Sequence, residues 1–250
     1  MDTKKALIEA KNLTVGYGTK IIQKNLNFTI NAQDIFIIMG GSGCGKSSLL
    51  RVLMGLLKPL KGNVYFEGLD FWNGTAEEHQ RILQQIGVMF QSGALWTSRT
   101  LAENISIPLK QFTALNDKQI YELARYKLAQ VGLSGFEHYY PSEISGGMRK
   151  RAGIARALAL DPQFVFLDEP SAGLDPVSSA KLDELILQLR DSLNMTILIV
   201  THELASIFAV ADHAIWLDAK SKTMLAEGSP DYLLENGPET VRKFLRREAE

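Results

Sequence analysis

Eight consecutive residues near the start of the chain have the types and spacing of a phosphate-binding loop. They fit the pattern GxxxxGK[ST], and together with the next residue they supply a nucleotide-contacting set: Gly40, Gly41, Ser42, Gly43, Cys44, Gly45, Lys46, Ser47 and Ser48. Glycines let the backbone curve closely enough for successive N–H groups to point at phosphate oxygens. The Lys46 ammonium should reach the β- and γ-phosphates, and the Ser47 hydroxyl should ligate Mg²⁺. The motif therefore predicts nucleotide binding.

Two adjacent carboxylates, Asp168 and Glu169, end a second apolar segment of the chain. At the carboxyl edge of a parallel strand, Asp168 would lie beside the phosphate loop and contact the Mg²⁺ shell. Glu169 would face the γ-phosphate, where it could orient and deprotonate an attacking water. The alternative is a strand that ends in a solvated acidic turn, and the phosphate loop upstream argues against it.

Apolar segments of the strand type must position these groups. Residues 35–39, 164–167 and 195–200 are rich in Ile, Val and Phe without polar alternation, as in parallel strands covered on both faces. Residues 13–15, 26–30 and 61–68 predict shorter, antiparallel strands near the N-terminus. The order of the segments predicts an α/β fold: a P-loop core with a parallel sheet, an N-terminal antiparallel β-subdomain and an inserted α-helical subdomain.

The inserted region, residues 91–160, carries two helix signals. Asn116 and Gln119 have the spacing of a capping box, and Gly132 suits the position just after the end of that helix. Ser145 is the predicted N-cap of a second helix that runs to about Leu160.

Composition limits the classes of protein to which the chain can belong. Its 250 residues are 46% hydrophobic and 22% charged, as in an ordinary globular protein. A formal net charge of -1 gives no global electrostatic case for nucleic-acid binding, so we expect no nucleic-acid partner. The single cysteine, Cys44, excludes an intrachain disulfide and favours a reducing cytosol. No apolar run approaches the roughly 18 residues of a membrane span, and the N-terminus does not read as a signal peptide.

Three further motifs occur in a fixed order around the acidic pair: residues 144–149 (ISGGMR), 171–176 (SAGLDP) and 200–203 (VTHE). With the phosphate loop they resemble the nucleotide-binding subunit of ABC transporters across essentially the whole chain. The resemblance implies one ABC ATPase domain over residues 1–250, with ATP and Mg²⁺ as ligands. Residues 1–90 and 161–228 would form the β-subdomain and P-loop core, residues 91–160 the helical subdomain, and residues 229–250 a C-terminal helical extension.

The same resemblance assigns roles to several residues. Because ABC ATPases pair head to tail, Ser145, Gly146 and Gly147 would cap the γ-phosphate held by the opposite subunit, and two identical chains are the simplest dimer. His202 would be the switch residue at the γ-phosphate. Gln91 would touch Mg²⁺ or the lytic water, and Tyr17 would stack on adenine. The alternative for each of the last three is a purely structural residue.

A narrower resemblance, to the ATPase subunit of Mla-type, MCE-associated lipid transporters, is carried by four segments: 90–96, 101–105, 108–109 and 145–152. That resemblance implies a homodimer on the cytoplasmic face of the inner membrane, held there by an integral permease. An MCE-domain protein in the periplasm and a small cytoplasmic regulatory subunit would complete the system. Its cargo would be phospholipid moving between the inner and outer membranes, which maintains outer-membrane lipid asymmetry.

Several alternatives remain open from the sequence. The chain could instead serve a polar-solute importer, or act as a soluble ABC ATPase of the Fe–S cluster assembly type. The apolar residues Ala94, Leu95 and Trp96 either receive a permease helix or pack into the helical subdomain. The C-terminal face of Val241, Phe244 and Leu245 either packs on its own domain or forms a dimer or regulatory contact. Cys44, near Lys46 and a helix N-terminus, should have thiolate character.

Overall fold

After an N-terminal hairpin, strands and helices alternate along the chain. The computed structural model describes residues 5–248. Their elements in chain order are β1 (Ala6–Tyr17), β2 (Lys20–Asn31), β3 (Ile35–Gly40), α1 (Lys46–Leu53), β4 (Lys61–Phe66), β5 (Leu69–Asp70), α2 (Ala76–Gln84), β6 (Ile86–Met89), α3 (Leu101–Phe112), α4 (Asp117–Gln130), a 3₁₀ turn (Pro141–Glu143), α5 (Gly146–Ala157), β7 (Phe164–Asp168), α6 (Pro176–Leu193), β8 (Thr196–Val200), α7 (Leu204–Val210), β9 (His213–Asp218), β10 (Thr223–Gly228), α8 (Pro230–Asn236) and α9 (Glu239–Arg246).

The central sheet has six strands in the order β10-β9-β3-β8-β7-β6. Strands β9, β3, β8, β7 and β6 run parallel, which confirms the three predicted parallel strands and adds β6 and β9 to them. In register, Ile38 lies opposite Val200, and Val200 lies opposite Asp168. The carboxyl ends of β3, β7 and β8 therefore meet at one edge, where the phosphate loop, the acidic pair and His202 follow.

A second, antiparallel sheet has the order β2-β1-β4-β5, as predicted for the N-terminal strands. Side-chain alternation along β3 divides the core between the two layers. Phe36 and Ile38 pack with the antiparallel sheet and α1, whereas Ile35 and Ile37 pack with the helical layer. Because successive residues of a strand point to opposite faces, an apolar strand such as β3 joins two cores.

The inserted region contains α3, α4 and α5. The predicted capping box at Asn116 and Gln119 is present, and Gly132, with φ of 70°, follows the C-cap Val131. Ser145 caps α5 as predicted, but α5 ends at Ala157 rather than near Leu160. The prediction of its end was wrong because Leu158 already caps the helix, and the backbone turns left-handed at Asp161 just before Pro162.

The C-terminal segment folds back onto the sheet. Ser229 caps α8, with Pro230 in its first position. In α9, Val241 and Leu245 are buried, and the ring of Phe244 lies 4.8 Å from that of Trp216 on β9. The apolar face therefore packs on its own domain. Within residues 5–248, none of the helices combines the length and the apolar character needed to cross a membrane.

Candidate functional site

The phosphate loop connects β3 to α1, and its backbone requires glycine at two positions. Gly40 has φ of 150°, and a Cβ atom there would lie 2.4 Å from the Leu217 carbonyl oxygen. Gly45 has φ of 105°, and a Cβ atom would lie 2.4 Å from a methyl group of Ile22. The first turn of α1 contains no acidic residue. The positive end of this helix and the loop N–H groups therefore favour an anion.

Lys46 folds back over the loop from the first position of α1. Its Nζ donates hydrogen bonds to the carbonyl oxygens of Gly40 (2.8 Å) and Gly41 (3.2 Å). A cavity of about 350 Å³ opens beside this ammonium. Its lining residues are Lys20, Ile21, Ile22, Gly43, Gly45, Lys46, Ser47, Ser48, Ala219 and Lys222. Three lysines on the wall make the cavity suitable for a polyanion such as a triphosphate.

The thiol of Cys44 points away from this cavity. Its side chain is 1% exposed and belongs to the core beneath the antiparallel sheet. Burial raises the pKa of the Cys44 thiol, and the nearby Lys46 charge only partly opposes that effect. The expectation of thiolate character was therefore wrong, because desolvation outweighs the neighbouring charge. Only the backbone of Cys44 can contribute to phosphate binding.

A backbone contact and a side-chain contact hold Glu169 just after the end of β7. Its backbone is left-handed (φ 47°), and its N–H donates to the Val200 carbonyl oxygen at 2.8 Å. Its Oε1 lies 2.8 Å from Nδ1 of His202. The other oxygen, Oε2, is buried and has no hydrogen-bond partner among residues 5–248. One carboxylate oxygen is therefore occupied by His202, and the other remains available to a ligand or water.

The neighbouring carboxylate, Asp168, has both negative and positive side chains around it. Burial raises the pKa of Asp168, and the negative charge of Glu169 adds to that effect. The positive charges of Arg51, Lys150 and Lys46 oppose it. A cation bound beside Asp168 would favour the ionised carboxylate and so offset the effect of burial.

Gln91 follows β6, whose Met89 lies opposite Leu167 of β7. The residue is therefore at the same sheet edge as Asp168, and its side chain is exposed. The backbone after it is irregular, with left-handed conformations at Gly93 and Ala94. The structure thus brings Gln91, Asp168, Glu169 and His202 to the edge that also carries the phosphate loop.

Ser145, Gly146 and Gly147 begin α5 at a different place. The Ser145 hydroxyl accepts a hydrogen bond from the Met148 N–H at 3.2 Å, and Ser145 is exposed. In the described part of the chain, none of the residues that line the cavity beside Lys46 belongs to this segment.

Tyr17 ends β1 next to the phosphate-loop helix. Its hydroxyl accepts a hydrogen bond from Nη1 of Arg51 at 3.0 Å and lies 3.5 Å from Oγ of Ser48. Hydrogen bonds from Ser48 and Arg51 lower the pKa of the Tyr17 phenol. The ring is exposed, so one face is accessible beside the loop.

Sequence reasoning missed one residue that supports the loop. Gln23 is fully buried, and its Nε2 donates to the carbonyl oxygens of Cys44 (2.6 Å) and Asp218 (2.9 Å). It thereby fixes the loop backbone to β9. The available signal was a polar residue at an inward position of a strand, where a buried amide needs specific partners.

Comparison with known proteins agrees with this geometry. Residues 23–172 match the ABC transporter family. The structure of the ATP-binding cassette MJ0796, a dimer in a post-hydrolysis state bound to ADP and Pi, superposes with a TM-score of 0.78 at 29% identity, covering 89% of this chain and 98% of that one. The class is thus an ATP-binding cassette, and the phosphate loop, the acidic pair and His202 lie at one edge of its central sheet.

The chain belongs to the family of ABC transporter ATP-binding proteins. It is 38% identical, over 98% of its length and 92% of the relative's, to the intermembrane phospholipid transport system ATP-binding protein MlaF of Haemophilus influenzae. It is 42% identical over 95% of its length to the probable ribonucleotide transport ATP-binding protein mkl of Mycobacterium tuberculosis, and it spans 66% of that protein.

Proposed function

We propose that this chain is the ATP-hydrolysing subunit of an ABC transporter. The observation that carries the proposal is the arrangement of Glu169 at the edge that carries the phosphate loop: its Oε1 contacts His202, and its buried Oε2 has no hydrogen-bond partner within residues 5–248. The nucleotide-binding contribution of the loop comes from the backbone of Gly40 to Gly45 with Lys46, Ser47 and Ser48. Tyr17 stacks on adenine.

The residues present fit Mg²⁺. Ser47, Asp168 and Gln91 offer oxygen ligands, which this ion prefers, and a cation would stabilise the ionised form of the partly buried Asp168 carboxyl. Among residues 5–248 no cluster of three or more His, Cys, Asp or Glu side chains could hold a metal alone. That is consistent with an ion held by few protein groups and the phosphates of its substrate. When bound, Mg²⁺ would neutralise charge on the phosphate oxygens.

Hydrolysis then follows from the positions of this chain's own groups. Glu169 Oε2 accepts a proton from the attacking water while the oxygen of that water forms a bond to the γ-phosphorus. The bond from that phosphorus to the bridging oxygen of ADP breaks, and ADP leaves. His202, fixed by Glu169 Oε1, contacts the γ-phosphate, and Lys46 stabilises charge on the β- and γ-phosphates.

The complete site requires a second copy of the chain. Among residues 5–248, Ser145, Gly146 and Gly147 do not line the cavity beside Lys46, and they act on the nucleotide of the opposite subunit in a head-to-tail homodimer. The dimeric state of the cassette MJ0796 supports this arrangement. The division into a β-core (residues 1–90 and 161–228), a helical subdomain (91–160) and an extension (229–250) is part of the same proposal.

An integral membrane permease occupies an apolar groove of about 480 Å³ at the border of the helical subdomain. Trp96, 55% exposed, forms one wall, with Leu83, Pro108 and Phe112 around it. Leu95, expected in the same patch, is instead half-buried against the core, so only its neighbour Trp96 offers a large apolar surface. Docking there places the chain on the cytoplasmic face of the inner membrane.

The transported substrate is a phospholipid moving between the inner and outer membranes. Similarity to MlaF over 92% of that protein supports this choice. An MCE-domain periplasmic protein and a small cytoplasmic regulatory subunit complete the transporter. A second candidate is a polar-solute transporter, favoured by the name of the mycobacterial relative, of which the chain covers 66%.

The test is native purification of the tagged chain from membranes, followed by mass spectrometry of the proteins and lipids retained. The proposal expects a permease, an MCE-domain protein and phospholipid above the level of a mock purification. A permease with a solute-binding protein and no enriched lipid would favour the polar-solute transporter. Recovery of the chain only in the soluble fraction with Fe–S assembly proteins would refute both.

A further inference from the structure

One lysine of α5 reaches two segments of the nucleotide site at once. Lys150 Nζ donates hydrogen bonds to the main-chain carbonyl oxygens of Gln91 and of Glu169, the second at 3.1 Å. These two residues follow neighbouring strands, β6 and β7. A single side chain therefore joins α5 to the segments that carry the metal-contacting glutamine and the glutamate base.

Burying the Lys150 ammonium costs free energy. A role in solubility or surface charge does not explain a lysine at this buried position. Lys150 is only 7% exposed, so its ammonium is largely removed from water. A buried ammonium requires hydrogen-bond acceptors, and here they are main-chain carbonyl groups of the site.

The two carbonyl groups belong to irregular backbone. Glu169 has a left-handed conformation, uncommon for a residue with a side chain, and the segment after Gln91 contains two more left-handed residues. Arg156, one and a half turns further along α5, donates to the carbonyl oxygens of Gly93 (3.0 Å) and Ala94 (2.7 Å). Helix α5 thus holds the Gln91 segment at both ends, and of its two side chains Lys150 and Arg156, it is Lys150 that also bonds to Glu169.

We infer that Lys150 is a positioning residue for ATP hydrolysis: it fixes the backbone of Glu169 and Gln91 relative to each other and to α5. The inference rests on the proposed function. Because α5 begins at Ser145, the same lysine also ties these two residues to the segment that acts on the opposite subunit's nucleotide. Loss of Lys150 should impair catalysis more than nucleotide binding, since its hydrogen bonds go to Gln91 and Glu169 and not to the phosphate loop.

The chain supplies a matched control in Lys127. This lysine is 1% exposed, lies in α4 of the same helical region and pairs with the exposed carboxylate of Asp161. It touches neither Gln91 nor Glu169. Replacing either lysine by methionine removes one buried ammonium, so the two variants should lose stability in a similar way and differ only at the site.

The experiment compares Lys150→Met and Lys127→Met in the full-length chain. For Lys150→Met we expect kcat to fall between about 10- and 100-fold, with KM and the affinity for a fluorescent ATP analogue within about twofold of wild type. Hydrogen exchange of the amides after Gln91 and Glu169 should become faster. Lys127→Met should lower the thermal midpoint while leaving kcat and exchange at these two segments unchanged.

Other outcomes separate the inference from the proposed function. A wild-type chain without ATPase activity would refute the proposed function. The hydrogen-exchange data would still show whether Lys150 fixes the backbone after Gln91 and Glu169. Unchanged kcat in Lys150→Met, or an equal loss in Lys127→Met, would overturn the inference. If methionine at position 150 prevents folding, Lys150→Gln, which keeps a neutral amide donor, is subject to the same criteria.

Discussion

His202 Nδ1 lies 2.8 Å from Oε1 of Glu169, although the two residues are 33 positions apart in the chain. They meet because β7 and β8 are adjacent parallel strands whose carboxyl ends share one edge. The contact orients the glutamate so that its second oxygen, which is buried and has no hydrogen-bond partner in the described part of the chain, is the one left to act on water. This pair is the centre of the mechanism proposed for the site.

Lys46→Ala should abolish productive nucleotide binding. The Lys46 ammonium bonds to the carbonyl oxygens of Gly40 and Gly41 and so lies at the loop, and without it much of the phosphate charge is not compensated. Equilibrium binding of a fluorescent ATP analogue measures the loss, which we expect to be at least about tenfold. Lys118→Ala, at an exposed position of α4, should bind normally. Equal affinity in the two variants would remove Lys46 from the site.

Cys44 should resist alkylation in the folded protein. Burial raises its thiol pKa, so the reactive thiolate fraction at pH 7 to 8 is smaller than for an ordinary cysteine, and the side chain is inaccessible. Iodoacetamide labelling followed by mass spectrometry should show slow modification of the native chain and complete modification in urea. Rapid native labelling that Mg-ATP prevents would restore the exposed-thiolate interpretation.

Local signals in the sequence predicted the structural context of most candidate site residues. The phosphate loop, the acidic pair and the Ser145 cap depend on residues adjacent in the chain, and the structure has each in the predicted context. Lys150 and Gln23 were not predicted, because their roles depend on carbonyl groups far away in sequence. The thiol of Cys44 was misjudged for the same reason: the direction of its side chain, into the core, is not a local property.

In the fold, too, the elements that depend on contacts distant in sequence were not predicted. Three parallel strands were predicted from their continuous apolar composition, whereas β6 and β9 were not. Strand β6 has only four residues, and β9 begins with His213 and ends with Asp218. Pairing with β7 and β3, rather than composition, makes them strands.

Trp96→Asp should separate the chain from its permease without unfolding it. The indole is mostly exposed on the apolar groove, so a carboxylate there is tolerated in the isolated chain but becomes an unpaired charge when the groove is covered. Copurification with the permease measures the effect, and the thermal midpoint of the isolated chain reports on folding. Tyr126→Asp, at a similarly exposed aromatic of α4, is the control. Permease retention by Trp96→Asp would place the docking surface elsewhere.

Asp183→Asn should change how stability depends on pH. Asp183 is buried, accepts a hydrogen bond from Ser206 Oγ at 2.9 Å, and has a pKa raised chiefly by burial. Below the unfolded-state pKa of about 4 both states of the wild type are protonated, and as pH rises through the folded-state pKa the buried group must ionise, which costs stability. Asparagine has no such cost.

Urea unfolding at several pH values between about 4 and 7 measures this difference. The stability of Asp183→Asn relative to wild type should rise with pH over this interval. A relative stability that stays constant, or that falls as pH rises, would show that the pKa of Asp183 is not raised in the folded protein.

The most direct test of the account is ATP turnover by Glu169→Gln, which keeps the shape of the side chain and removes the basic carboxylate. We predict that hydrolysis falls by at least about 100-fold, the usual scale for loss of a general base, while the affinity for ATP is preserved. Gel filtration with ATP should show the variant accumulating as a dimer. Turnover close to that of wild type would contradict the assignment of Glu169 as the base, and with it the mechanism built on the Glu169–His202 pair.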